Sequence, residues 1–545
     1  MQVKKLDGEL FKSLVIYGCE NLKANYQYVD SLNVFPVPDG DTGTNMRMTI
    51  EGGVNEVYNV HEHNIYEMAK KVSRGMLMGA RGNSGVILSQ LFRGISKGFE
   101  GLDQVDSIKF AQALERGVEQ AYKAVMKPVE GTILTVAKDG AHKMSLIANS
   151  RMSINEFFNE YIIELKESLE RTPDLLPVLK EAGVVDSGGQ GLVVIIEGMI
   201  KYLNGEEISV NEAEEKHEEV AVEEELGYCT ELVLELKEEI NPETFKDNVL
   251  HEQLSKIGKG VFIVKEDRNI KIHIDTFTPG DVLNISQQYG EFTSINIENK
   301  DLHHEHDHEH ENNAEAPAVV ERPKERKEYA VVCVGTGEGL INLFKQLGAD
   351  FVVSGGQSMN PSTEDFIRGF DTLNAENILV FPNNKNIILA AKQAAKIYKE
   401  SKVTVIESKT LAQGYAALTM IDFTLDYNTM IEDLNETISN VETGQITYAV
   451  RDTEIKGVKI TKGDFIGILD SDIVTSRRNR VDAVKDLLQK SKASERDALT
   501  IIYGKDVNAK EVNVVKKYVE RSFDNLEVDV LDGGQEVYSY IFALE

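Results

Sequence analysis

The stretch Asn33-Val-Phe-Pro-Val-Pro-Asp-Gly-Asp-Thr-Gly-Thr-Asn45 decides how the N-terminal part of the chain is read. Val34, Phe35 and Val37 are apolar and can pin the segment to a core, while Pro36 and Pro38 stiffen it and hold each preceding residue extended. Asp39 and Asp41 flank Gly40, and Gly43 follows, so the backbone can turn tightly enough for both carboxylates to face one spot. Thr42, Thr44 or Asn45 is expected to cap the helix that Met46, Met48 and Ile50 announce. Two carboxylates held this way suit Mg2+, a hard cation that takes oxygen ligands and completes its shell with water and phosphate. On these residues alone, a turn followed by a helix cap is the competing reading.

Working outward, apolar residues recur at helical spacing over Leu6–Val29, Met68–Met78, Val86–Ile95, Ile108–Val125, Ile133–Ile147, Phe157–Leu169 and Leu192–Leu203. With the helix after Asn45, about eight helices joined by short polar links predict an all-α bundle or barrel. The links are chemically alike. Gly79-Ala-Arg-Gly82-Asn83-Ser84-Gly85 has a glycine to end one helix in a left-handed conformation and Asn83 or Ser84 to cap the next. A glycine-rich turn that opens a helix aims unpaired backbone N–H groups at one place, an anion site. Pro128–Thr132 repeats the glycine-then-hydroxyl pattern, and Glu181–Gly191 sets Gly183 and Asp186 in a glycine-rich turn before the last helix. If the four links fall at one end of the bundle, they make a rim suited to metal and triphosphate.

At 545 residues, the chain is long enough for about three or four domains. The formal charge of -31 argues against nucleic acid or an anionic membrane as the main partner, because both reward basic surfaces. Cys19, Cys229 and Cys333 lie too far apart for a disulfide framework, which predicts a reducing, cytoplasmic setting. No uncharged apolar run reaches the roughly 18 residues a transmembrane segment needs.

Residues 205–226 are Glu-rich and aperiodic, an acidic linker after a helical domain over 1–204. Strand formers at Tyr228–Leu236, Gly260–Val264 and Ile270–Ile274 predict a small α/β domain over 227–300, and the His303–His310 run opens a second linker, 301–327. Over 328–545, strands alternate with helices at the spacing of a doubly wound α/β region, with Gly355–Ser362 and Pro382–Asn386 as polar loops at strand ends. Gly335-Thr-Gly337 lacks a full dinucleotide fingerprint. Arg477, Arg478 and Arg480 are the one tight arginine cluster and are expected in a solvated loop.

Segments Asn33–Asn45, Gly79–Gly85, Glu130–Thr132 and Gly183–Gly191 together resemble the nucleotide-binding domain of dihydroxyacetone kinases. The order of domains resembles, more closely, the ATP-binding subunit of the bacterial fatty acid kinases, whose partner-docking domain carries loops similar to Gly355–Ser362 and Pro382–Asn386. The resemblance implies an eight-helix antiparallel barrel that binds ATP at one rim through two Mg2+ ions. It implies Asp39 and Asp41 as metal ligands and Gly82, Asn83, Ser84 and Gly85 as the phosphate loop, with Thr42, Thr44, Asn45, Thr132, Gly183 and Asp186 near the nucleotide. The family has a third aspartate before the pair; Asn33 and Asp30 are the candidates here, Asn33 the closer in position.

In the middle domain the family has a Cys and a His-x-His, matched here by Cys229, His273 and Asp275, so a Zn2+ site would carry an aspartate in place of the second histidine. The alternative is a buried Cys and a strand His that never meet. The implied activity is transfer of the ATP γ-phosphate to a fatty acid carboxylate presented by a separate fatty-acid-binding protein. The product is an acyl phosphate for phospholipid synthesis, and a homodimer is expected. Two rivals are a dihydroxyacetone-kinase-like enzyme acting on a small hydroxylated metabolite and a nucleotide-regulated scaffold.

Overall fold

The computed structural model describes residues 3–33, 40–206, 325–356 and 359–545 and, within 228–299, all but 238–239, 241–244, 246–249, 251–252, 255, 267 and 277. The chain separates into two compact units, Met1–Ala213 with Glu321–Glu545, and Glu214–Val320.

The first unit begins with α1 (Gly8–Ser31), α2 (Thr42–Asn55), α3 (Ile65–Met78), α4 (Gly82–Gly98), α5 (Ser107–Ala124), α6 (Ile133–Ile147), α7 (Ile154–Leu175), α8 (Pro177–Ala182) and α9 (Ser187–Asn204). Eight long helices pack in chain order and α9 returns to α1, closing the predicted ring; the short α8 has too few residues to leave a periodic signal. Closure depends on Gly198, where a Cβ would sit 2.4 Å from the Tyr17 carbonyl oxygen of α1. Asn21 on α1 donates to the Val194 carbonyl at 2.7 Å beside it. Phe11, Phe99, Phe110, Phe157 and Phe158 fill the ring, each buried and worth roughly 1.5–3 kcal/mol of transfer free energy.

The second unit, described by itself, is an antiparallel sheet of β1 (Tyr228–Leu236), β2 (Gly258–Glu266), β3 (Asn269–Thr276) and β4 (Gly290–Asn299) in the order β2-β3-β1-β4, with α10 (Pro279–Ser286). Alternation buries Thr230, Leu232, Leu234 and Leu236 on β1 and Ile270, Ile272 and Ile274 on β3. The register sets Cys229 opposite Asp275 and Glu231 opposite His273. The side chains of Cys229, His273 and Asp275 lie outside the described residues, as does the His303–His310 run.

The C-terminal region of the first unit has two sheets. Parallel β5 (Lys327–Gly335), β6 (Phe351–Ser354), β7 (Ala375–Phe381) and β8 (Lys402–Val405) lie in the order β6-β5-β7-β8, crossed by α11 (Glu338–Gln346), α12 (Thr363–Asp371) and α13 (Ile388–Ile397). This is the doubly wound part. After α14 (Leu411–Thr419) and α15 (Tyr427–Asn440), β9 (Glu442–Tyr448), β12 (Phe465–Leu469), β13 (Asp472–Arg477), β14 (Ala498–Tyr503), β15 (Glu527–Asp532) and β16 (Tyr540–Leu544) form a second sheet, ordered β13-β12-β9-β16-β14-β15. Only β14 and β15 pair in parallel there. The expected hairpin is β10 (Thr453–Ile455) with β11 (Val458–Ile460), and α16 (Arg480–Lys490) and α17 (Ala509–Ser522) complete the region.

One local expectation changes. Arg480 is not in a solvated loop: it opens α16, its side chain is 13% exposed, and it bonds Glu511, Asp506 and Ser539, while Arg477 pairs with Asp486 at 2.6 Å. The acids that bind it are distant in sequence, so the cluster reads as solvated until the chain folds. Gly335 and Thr336 border a small cavity with room for only a few waters, while Gly337 does not line it. The α11 start is instead held against the strand-end backbone by Leu340 N–H donating to the Gly533 carbonyl at 2.9 Å.

Candidate active site

The barrel helices alternate in direction, and their N-caps alternate in chemistry. At one end, Asp7, Asn64, Asp106 and Ser153 cap α1, α3, α5 and α7 through their own side chains. At the other end, α2, α4 and α6 start from Asp41, Arg81 and Thr132, none of which makes a side-chain cap bond. Helix N-termini left without such caps carry partial positive charge and attract anions.

This corrects the expected caps. Neither Thr42, Thr44 nor Asn45 caps α2; the Gly43 and Thr44 N–H groups donate to Asp30 Oδ1 at 2.6 and 3.2 Å, and the Thr44 hydroxyl donates to Asp30 Oδ2 at 2.7 Å. Asp30, the less favoured candidate for the third acid, is thus committed to α2, and burial raises its pKa despite these donors. Asn83 and Ser84 do not cap α4. Gly79 has φ -76° and is not left-handed; the positive φ, +58°, falls at Gly82. A Cβ at Gly82 would lie 2.5 Å from Asn45 Nδ2, and one at Gly85 would lie 2.2 Å from Thr49 Oγ1, so both glycines let α2 and α4 approach each other.

The end where α2, α4, α6 and α9 begin borders a cleft of about 670 Å3. On the barrel side Asn33, Asp41, Thr42, Asn45, Asn83, Ser84, Thr132 and Asp186 line it. Gly82, Gly85, Thr44 and Gly183 do not; Gly183 ends α8 with φ +67°. Asp39 lies outside the described residues. Asn33 Oδ1 accepts from the Thr42 hydroxyl at 2.9 Å and the Ser187 hydroxyl at 3.2 Å, tying the starts of α2 and α9 together. Asp186 caps α9, accepting from Gly189 N–H at 2.7 Å, and burial pushes its carboxyl up to about 6 against the lowering effect of the N–H groups of Gly189, Ile133 and Gly188. Glu130 accepts from Lys138 at 2.8 Å and Thr135 at 2.7 Å, and these bonds, Lys138 first, hold its carboxyl below the usual range.

The opposite wall is C-terminal: Lys385, Asn386, Leu389, Lys392, Glu407 and Lys409. Sequence reasoning misses these residues as a site: the Pro382–Asn386 loop stands out, but nothing local says that it faces the barrel. The two walls are joined on the glycine-rich link itself. Arg81 donates to the Asn360 carbonyl at 2.7 Å and pairs with Asp365 at 3.3 Å. Gln393 on α13 accepts from Gln90 at 2.8 Å and donates to the Leu77 carbonyl at 2.8 Å. Ala80 and Val86 are buried with the core of the parallel sheet.

The donors that the barrel offers to the cleft (the Asp41 carboxylate, the Asn33 amide oxygen, and the Thr42, Ser84 and Thr132 hydroxyls) are all oxygen, which fits Mg2+. No group of three His, Cys, Asp or Glu comes together as a metal site among the described residues. No helix among them is long and apolar enough to cross a membrane.

Comparison with known proteins gives three family matches along the chain: the DAK2 domain over residues 36–201, the FakA-like middle domain of fatty acid kinase over 225–307, and the FakA-like C-terminal domain of fatty acid kinase over 330–545. Protein YloV of Bacillus subtilis (strain 168) is 41% identical over 561 residues, covering 100% of both chains. Among solved structures, the dihydroxyacetone kinase from C. freundii in complex with AMP-PNP and Mg2+ is 17% identical, with TM-score 0.29, over 37% of this chain and 35% of that one. The Streptococcus pneumoniae Fatty Acid Kinase (Fak) B3 protein loaded with linoleic acid is 13% identical, with TM-score 0.28, over 40% of this chain and 99% of that one. At these scores the two structural likenesses carry no weight.

Proposed function

Because the chain belongs to the FakA-like fatty acid kinase family, and so to a kinase system, we propose that it is the ATP-binding component. In this reading it transfers the γ-phosphate of ATP to the carboxylate of a fatty acid held by a separate binding protein. The observation that carries the reading is the single cleft shared by Asp41, Ser84, Thr132 and Asp186, links separated in sequence but gathered where α2, α4, α6 and α9 begin.

Asp41 and Asn33, with Asp39 beside them in sequence, would hold Mg2+, which when bound neutralises phosphate charge as it redistributes. The α4 start at Gly82–Ser84 would offer backbone donors to phosphate oxygens, with the Thr132 hydroxyl beside them in the cleft. Lys392 and Lys409 face them from the other wall and add positive charge in a chain of net charge -31. Met126 and Val129, 70% and 50% exposed at the cleft edge, offer an apolar shelf for a nucleobase. A fatty acid carboxylate is already anionic. One of its oxygens forms the new bond to the γ-phosphorus as the bond from that phosphorus to the bridging oxygen breaks, giving acyl phosphate and ADP. No proton has to move, so these residues need only position and neutralise.

The test is phosphate transfer from ATP by the purified chain, with and without a fatty-acid-loaded binding protein. Acyl phosphate formed only with the loaded protein is the expected result. Phosphorylation of dihydroxyacetone instead, or nucleotide binding with no transfer, would turn the reading to one of its rivals.

A further inference from the structure

The C-terminal region reaches past the cleft wall to the Asp41 carboxylate. Asn360 follows β6 in a loop held from both sides: Gly356 N–H donates to the Met359 carbonyl at 3.0 Å, and Arg81 of the barrel holds the Asn360 carbonyl. The residue is 1% exposed. Asn360 Nδ2 donates to Asp41 Oδ2 at 2.5 Å, with Asn45 Oδ1 at 3.4 Å as a second acceptor. Both neighbours accept, which fixes which end of the amide faces them. Asn360 Oδ1 is left buried without a hydrogen-bond partner among the described residues.

We propose that Asn360 is a positioning residue for the metal site: its amide N–H fixes the orientation of the Asp41 carboxylate, so that Mg2+·nucleotide affinity on the barrel depends on a residue of the C-terminal region. This rests on the reading of Asp41 as a Mg2+ ligand. Residues that hydrogen-bond a ligating carboxylate set its direction, and losing one costs about 10- to 100-fold in metal affinity. A neutral amide suits the task because it orients the carboxylate without competing for the cation, as an arginine or lysine there would.

The full chain is titrated with Mg2+ at a fixed concentration of a fluorescent ADP analogue, since the protein has no tryptophan of its own. Asn360→Ala should raise the Mg2+ midpoint about tenfold and leave nucleotide binding in EDTA unchanged. Asn360→Ser serves if the alanine chain does not fold. In an Asp41→Asn background, Asn360→Ala should add no further shift, which a merely structural role would not produce. An unchanged midpoint in Asn360→Ala while Asp41→Asn shifts it, or shifts that add in the double variant, would overturn the proposal. No shift in Asp41→Asn itself would instead remove the metal reading beneath it.

Discussion

The two walls of the cleft do different chemistry. The barrel wall is made of helix starts, hydroxyls and carboxylates, all produced by short links between neighbouring helices. The facing wall is made of lysines, amides and Glu407, which pairs with Lys392, from a parallel sheet far later in the chain. The barrel wall combines carboxylates for a metal with N–H groups for phosphate; the facing wall adds a net positive charge and orientation. The difference implies that chemistry depends steeply on the first wall and more gently on the second.

Asp41→Ala tests the steep side. It should lower acyl phosphate formation by roughly 10²–10³-fold or more, the scale of losing one preorganised electrostatic element, while circular dichroism stays unchanged. A variant with near-normal turnover would erase the distinction between the walls. On the gentler side, Lys392→Ala and Lys409→Ala should each raise the KM for ATP by about threefold to tenfold with little change in kcat, since each is one cation at a partly solvated site. Equal loss from a lysine and from Asp41 would show that the facing wall is not secondary.

Asp186 sharpens the picture on the barrel side. Its carboxyl is raised from 3.8 to about 6, so the folded chain binds more protons than the unfolded one between those values and stability falls as pH rises through that window. Above pH 6 the full cost remains, on the order of 3 kcal/mol at ~1.4 per unit. Asp186→Asn keeps a competent cap and should flatten the pH dependence of melting between pH 4 and 6 in nucleotide-free protein, with a higher midpoint near neutrality. An unaltered slope would sink the assignment. The smallest effect on turnover is expected at the seam between walls. Arg81→Ala removes bonds to Asn360 and Asp365 and should weaken docking of the C-terminal region on the barrel by about 1–3 kcal/mol, read as faster limited proteolysis between them.

The barrel wall was legible because its signals are local. Gly79–Gly85, Pro128–Thr132 and Glu181–Gly191 each mark a helix boundary by residue type, and helical period located α6 to the residue. Cap assignments failed where a distant group intervened: Asp30 serves α2, and no hydroxyl of the Asn83-Ser84 pair serves α4. The seam was not legible at all.

From the order of apolar spacing and polar links, the chain alone determined a helical bundle or barrel, a small α/β domain and a doubly wound region, because these depend on neighbours within a few turns or strands. Only the tertiary structure decided that Asn360 meets Asp41, 319 residues away, and that Lys392 and Lys409 face Ser84. Such pairings are set by how folded surfaces pack together, and no local pattern of residues encodes them.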